Sequence, residues 1–308
     1  LYINNRLIYV IIYLIMGHKE NVRMSLFKKQ SSEIKKFEER FDKEIKEMIV
    51  VTEGEMSAGR SGQDEYWTAS ITILAYIDVR SGELFEGKRG IEWLVNDKEC
   101  RSSKKIYNLK GQKIYQLIVR ESLPYENEYT HDTFEKGHWL MLVDVKKRNC
   151  HNAQLEDVLK EYQKEVSIHP QGCQKLILDK SLGIFSGEGN WNHEECYIHL
   201  DTDGEGIETA DETLKTFQEL MANGEVWDQK AREYAADELT ELANEWAEEN
   251  DLEITHEDFA KRMVISEVCV SLEGDFELFY NDDDMFYGHV IIVSGNIHEG
   301  FKDAYIAG

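Results

Sequence analysis

The residues best placed to do chemistry lie near the end of the sequence, where Asp282-Asp283-Asp284 is followed by Met285-Phe286-Tyr287-Gly288-His289. Carboxylates and an imidazole brought together bind a divalent cation or act as acid and base, and adjacent strands would bring these four side chains within reach of one another. That arrangement defines a metal-assisted hydrolase, with Asp282, Asp284 and His289 as its catalytic candidates beside Asp283. Turn chemistry accounts for the same residues, because aspartates between two apolar runs bond their own backbone. His289 would then alternate on one strand face with Tyr287, Ile291 and Val293, and the segment reads as a packed hairpin more readily than as a reaction centre. Gly288, inside the expected strand, marks a bulge or the close approach of another backbone.

A second pattern is Asp201-Thr202-Asp203-Gly204-Glu205-Gly206 with Glu212. Asp201, Asp203, Glu205 and Glu212 fall at positions 1, 3, 5 and 12 of a calcium loop, and Gly206 falls at the sharp turn. The flanks disagree: Cys196–Leu200 reads as a strand where a calcium hand has a helix, and Glu208 stands where an apolar residue belongs. An acidic strand-to-helix loop, with carboxylates favoured by the helix dipole, explains the residues without a metal. His193 and Cys196 offer two zinc ligands, but no second pair follows at a recognisable spacing. The chain has no phosphate-cradling glycine loop, no nucleophile elbow, and no basic patch interleaved with aromatics. Nothing in it calls for a cofactor.

The elements that must position these groups belong to a chain of 308 residues, 42% of them hydrophobic, which is enough for two domains with separate cores. Its formal charge is -25, and residues 201–260 alone hold 20 acidic against 3 basic side chains. Such a field repels phosphate backbones, so nucleic acid is excluded as a general partner and a basic protein is the expected one. Five scattered cysteines without a CxxC pair argue against a disulfide framework and for a reducing cytoplasm. The apolar run Leu7–Met16 is too short to span a bilayer, which takes about 20 residues, and no small-residue cleavage site follows it. Residues 1–23 are expected to be an extension that the native protein does not carry, so no membrane association is expected of the native chain.

Apolar residues at Ile34, Phe37, Phe41, Ile45 and Met48 predict an amphipathic helix over Ser25–Ile49, followed by a polar loop, Thr52–Glu65. Strands are expected at Trp67–Val79, Ile114–Val119 and Trp139–Val145, and a strand or helix at Ile91–Val95. Helical spacing returns at Leu155–Val166. The polar stretch Ser167–Gln174 sets the expected boundary, giving domains at 24–171 and 172–308. In the second, short strands precede helices at about Ala210–Ala222 and Val226–Glu249, split by an Asn223-Gly224 turn. The longer helix sets Trp227, Ala231, Tyr234, Leu242 and Trp246 toward a core and Asp228, Glu233, Asp237, Glu241, Glu245 and Glu248 toward water. Thr255 and Asp258 predict a capped short helix at Glu257–Met263. A meander closes the chain, with turns at Glu273-Gly274 and Gly295-Asn296. The whole is α+β: two domains of antiparallel sheet with packed helices.

The run Phe276-Glu277-Leu278-Phe279-Tyr280-Asn281-Asp282-Asp283-Asp284-Met285-Phe286-Tyr287-Gly288-His289, with Ser294-Gly295-Asn296 and Ala304-Tyr305-Ile306-Ala307-Gly308, resembles the bacterial domain-of-unknown-function family 2262. Trp227-Asp228, Tyr234–Leu239 and Leu242–Trp246 are similar to that family as well. The resemblance covers roughly residues 172–308 and implies a related fold and a bacterial origin, with no activity or catalytic residue attached. Two expectations follow for the whole chain: an accessory binding protein of the immunity or stress type whose acidic helical domain meets a basic partner, or the metal-assisted hydrolase.

Overall fold

The computed structural model describes residues 32–62, 64–101, 107–127, 130–203, 209–248 and 252–308. The expected extension 1–23, the start of the Ser25 helix, Glu205 and Glu249 lie outside these ranges. The described residues form six α-helices and sixteen strands in an α+β fold with two compact units, which divide between Leu159 and Lys160.

In the N-terminal unit α1 (Ser32–Glu39) precedes β1 (Lys46–Thr52), β2 (Ser57–Gly59), β3 (Trp67–Asp78) and β4 (Leu84–Val95). After the short α2 (Asp97–Arg101) come β5 (Ile114–Glu121), β6 (Tyr125–Glu126), β7 (Thr133–Phe134), β8 (Trp139–Arg148) and α3 (Ala153–Tyr162). The long expected helix is therefore corrected. Its spacing of three and four runs on into Lys46–Thr52, whose Met48, Val50 and Val51 are buried and whose backbone pairs with both β3 and β5. A β-branched run with sheet partners on both sides outweighs an apparent helical period. Those two pairings also close the sheet on itself in the order β1-β5-β8-β4-β3-β1, with β2 added beside β3. The result is a five-stranded Greek-key barrel of the OB type, filled by Met48, Val50, Ile73, Ile91, Leu117, Val119 and Leu140. Such a barrel assigns no ligand by itself.

The C-terminal unit begins upstream of the expected boundary at residue 171, because β9 (Ser167–Ile168) pairs with β10 (Leu176–Asp179) and so belongs to the second sheet. β11 (Ile184–Trp191) and β12 (Glu194–Asp201) form a hairpin. Then come α4 (Asp211–Ala222), α5 (Gly224–Trp246) and α6 (His256–Arg262), and finally β13 (Val264–Val270), β14 (Asp275–Asn281), β15 (Val290–Asn296) and β16 (Gly300–Ala307). The eight strands lie in simple order from β16 to β9. Neighbours are antiparallel except β12 and β13, which run parallel because three helices carry the chain from one end of the sheet back to the other. Each unit thus contains one parallel pair (β4–β8 in the barrel) that strand patterns alone do not announce.

The helices pack on one face of this sheet. Phe217 and Leu220 of α4, Ala231, Ala235, Leu239 and Ala243 of α5, and Phe259 of α6 share a core with Ile198, Leu200, Val268, Val270, Phe276, Leu278, Ile291 and Val293. The small alanines let α5 approach closely. Trp227 stands edge-on to Phe276 and Phe301, at 5.4 and 5.5 Å between ring centroids, and Trp246 stands edge-on to Phe286 at 5.7 Å. The Thr255 side chain accepts from the Asp258 N–H and caps α6. Gly295 is not a turn residue but lies within β15, and a Cβ there would fall 2.7 Å from the Phe276 ring. Only glycine leaves room there for that ring and for the Gly300 carbonyl, 2.9 Å from the same point.

Candidate functional site

The charged groups of α5 do not all face water as the helical pattern predicts. Asp228 is turned inward, its side chain 13% exposed, and its carboxylate accepts three bonds. Oδ1 takes the Trp191 indole N–H at 3.1 Å and the Tyr280 hydroxyl at 2.9 Å, and Oδ2 takes Arg232 Nε at 2.7 Å. Trp191 ends β11 and Tyr280 lies on β14, and both are fully buried. Arg232 follows Asp228 by one helical turn, the spacing that aligns side chains. Its guanidinium also donates to the carbonyls of Ala260, at 3.4 Å, and Met263, and it lies over the Tyr280 ring at 5.1 Å. Burial, and then the Asp228 charge, push the Tyr280 hydroxyl well above its ordinary range, so it remains a neutral donor. The knot ties α5, the end of α6 and two strands together through polar groups that satisfy one another.

Above this floor lies a groove of about 630 Å³ along α5 and α6. Glu194, Glu225, Glu233, Asp237 and Glu257 line it with Arg232, His256 and Lys261. Its cations are engaged. Lys261 meets Glu257 at 2.5 Å, His256 meets Asp237 at 3.2 Å, and Arg232 belongs to the knot. What the groove offers a ligand is carboxylate oxygen over an apolar floor that includes Ala236 and Ala260.

The aspartate triplet takes a different form from the one its composition suggests. Asp282 is buried, and its carboxylate accepts the N–H groups of Phe286 at 2.6 Å, Gly288 at 3.1 Å and Asp284 at 3.3 Å. Asp283 pairs with Arg262 at 2.9 Å. His289 Nδ1 meets the Phe286 carbonyl at 2.5 Å, and its ring stands edge-on to Trp246. Of these residues only Asp284 lines the nearby cleft, with Trp246, Arg262 and Tyr287. The hydrolase constellation therefore does not assemble, because its central carboxylate organises its own loop. Gly288 likewise belongs to that loop and not to a bulge: its φ of 86° is the left-handed conformation that glycine tolerates, and β15 starts only at Val290.

The calcium pattern is also distributed. Asp201 closes β12 and its carbonyl accepts from Thr213, Asp203 accepts from the Thr209 hydroxyl, and Glu212 caps the backbone N–H of Glu273 at 2.6 Å. His193 sits in the β11–β12 turn, whereas Cys196 faces the core, so these two do not form half of a zinc site. Burial pushes the Cys196 thiol up to about 12. Among the described residues, His199, Glu267 and Cys269 are the one group of three or more candidate metal-binding side chains whose ligand atoms approach one another. Neither that group nor the Asp228–Arg232 knot was read from the sequence. The i,i+4 spacing of Asp228 and Arg232 was the available signal for the knot.

Residues 173–306 match the family model described as an uncharacterized protein conserved in bacteria (DUF2262), as the tail motif implied. Residues 33–162 match a second model, a domain of unknown function (DUF7021). No curated protein and no solved structure matches the chain. No described helix is long and apolar enough to cross a membrane.

Proposed function

We propose that this is a non-enzymatic cytoplasmic binding protein of an accessory kind, in immunity or stress response, whose groove along α5 and α6 receives a Lys/Arg-rich segment of a partner protein. The observation that carries the reading is the state of the groove's charges. Six carboxylates, of Glu194, Glu225, Asp228, Glu233, Asp237 and Glu257, line it against three basic side chains, and each of those three is already held by one or two of the six. A cationic segment would find acceptors without having to displace a competing free lysine or arginine. The excess acidity of residues 201–260 adds a long-range field that steers such a partner inward. Single exposed ion pairs contribute only about 0–1 kcal/mol, so affinity must come from several contacts made together, and it should weaken with salt.

The test is fluorescence anisotropy of a labelled Lys/Arg-rich peptide titrated with the full chain, over a range of salt concentrations. Glu233→Gln, Asp237→Asn and Glu257→Gln combined should weaken binding by about tenfold, or about 1.4 kcal/mol. The same charge change at Glu238, Glu241 and Glu245, which are exposed on α5 outside the groove, should do little. Equal loss in both triple variants, or no binding at low salt, would remove the groove from the account.

A further inference from the structure

The sheet face opposite the helices carries a second arrangement. Alternation along β12 buries Cys196, Ile198 and Leu200 and leaves Tyr197, His199 and Asp201 on the other side. On β13 the buried Val268 and Val270 likewise leave Glu267 and Cys269 on that face. The parallel register sets His199 directly beside Cys269, and the next ladder sets Cys269 beside Glu277. Following the pairings outward gives one row across six strands: Ser186, His199, Cys269, Glu277, Ser294 and Asp303.

We infer that His199, Glu267 and Cys269 form a binding site for a borderline divalent metal ion, zinc foremost, on this outer face of the C-terminal sheet. One imidazole nitrogen, one carboxylate oxygen and one sulfur lie within 4.8 Å of one another, with His199 Nε2 at 3.4 Å from Glu267 Oε2. Ligand atoms around a tetrahedral zinc ion are separated by about 3.5 Å, as its bond lengths of about 2.0–2.3 Å require. Side-chain rotations that close the set by about 1 Å would complete the geometry. All three residues are half-buried on paired strands, so the scaffold is rigid. The mixed nitrogen, sulfur and oxygen set selects zinc and its neighbours over calcium or magnesium, which take oxygen alone. The three protein ligands leave a fourth position for water or an added ligand. This site lies on the other face of the sheet from the helices that form the acidic groove, and it is tested separately.

The experiment uses the untagged full chain stripped with chelator, titrated with zinc against a chromophoric competitor and with cobalt by absorbance. One zinc per chain is expected, with a cobalt–thiolate charge-transfer band. Cys269→Ser should abolish the band, and His199→Ala and Glu267→Gln should each weaken zinc binding by about tenfold or more. Cys150→Ser, outside the site, should leave both unchanged. Zinc affinity equal in Cys269→Ser and the unmodified chain, or zinc bound no more tightly than calcium, would overturn the assignment. Glu267 is exposed enough that its variant should fold, so a failure of the cysteine variant to fold leaves the proposal open to refutation.

Discussion

Replacing Asp228 by alanine should destabilise the C-terminal unit far more than removing any one of its partners. Three donors converge on this carboxylate, and two of them, the Trp191 indole N–H and the Tyr280 hydroxyl, are fully buried. A buried donor left without an acceptor costs about 1–3 kcal/mol. Arg232 suffers less, because it keeps two carbonyl acceptors and some solvent contact. The sum for Asp228→Ala is about 3–5 kcal/mol, the range found when a buried ion pair loses one member. Tyr280→Phe removes a donor and leaves Asp228 with Trp191 and Arg232, so its cost should be only about 1 kcal/mol. Because the phenylalanine variant also removes one of the orphaned groups, the double variant should be less destabilised than the sum of the two, by about 1 kcal/mol. Urea unfolding of the full chain, followed by tryptophan fluorescence and circular dichroism, measures all three. A loss below 1 kcal/mol for Asp228→Ala, or strict additivity in the double variant, would show that the knot does not hold α5 to the sheet.

Asp282→Ala should destabilise the same unit by about 2 kcal/mol, since three backbone N–H groups lose their acceptor. Zinc and basic-peptide binding should be unaffected. A variant that kept its stability but lost metal uptake would restore the catalytic reading of the triplet. In the N-terminal unit, Asp42 bonds Lys136 and the Glu44 N–H, and these hold its carboxyl down at about 2 against an ordinary 3.8. A depressed carboxyl stabilises the fold above its unfolded value, and that contribution disappears as pH falls from 3.8 toward 2. Acid titration of the N-terminal unfolding transition should therefore be steeper across that window in the unmodified chain than in Asp42→Asn, and identical profiles would refute the pairing.

The parts of this protein that were legible in its sequence are those decided by neighbours a few residues apart. Apolar runs between turn residues located β12, β13, β14 and β16 and the existence though not the bounds of β15, the apolar stripe located α5, and Thr255 located the start of α6. Where two periodicities overlapped the reading failed, as at Met48, which fits a helix on spacing and a barrel strand on partners. The sites were illegible for a related reason. Trp191 lies 37 residues before Asp228 and Tyr280 lies 52 after it, and the helical crossover between β12 and β13 brings Glu267 and Cys269 beside His199. His193 and Cys196 looked closer to a metal pair because they are near in sequence. Yet strand alternation sends Cys196 into the core, while His199, one period of the helix away from it in number but opposite in strand phase, meets a cysteine from the far side of the crossover. Proximity along the chain was misleading here because the parallel register of β12 and β13, set by packing of the intervening helices, decides which side chains become neighbours.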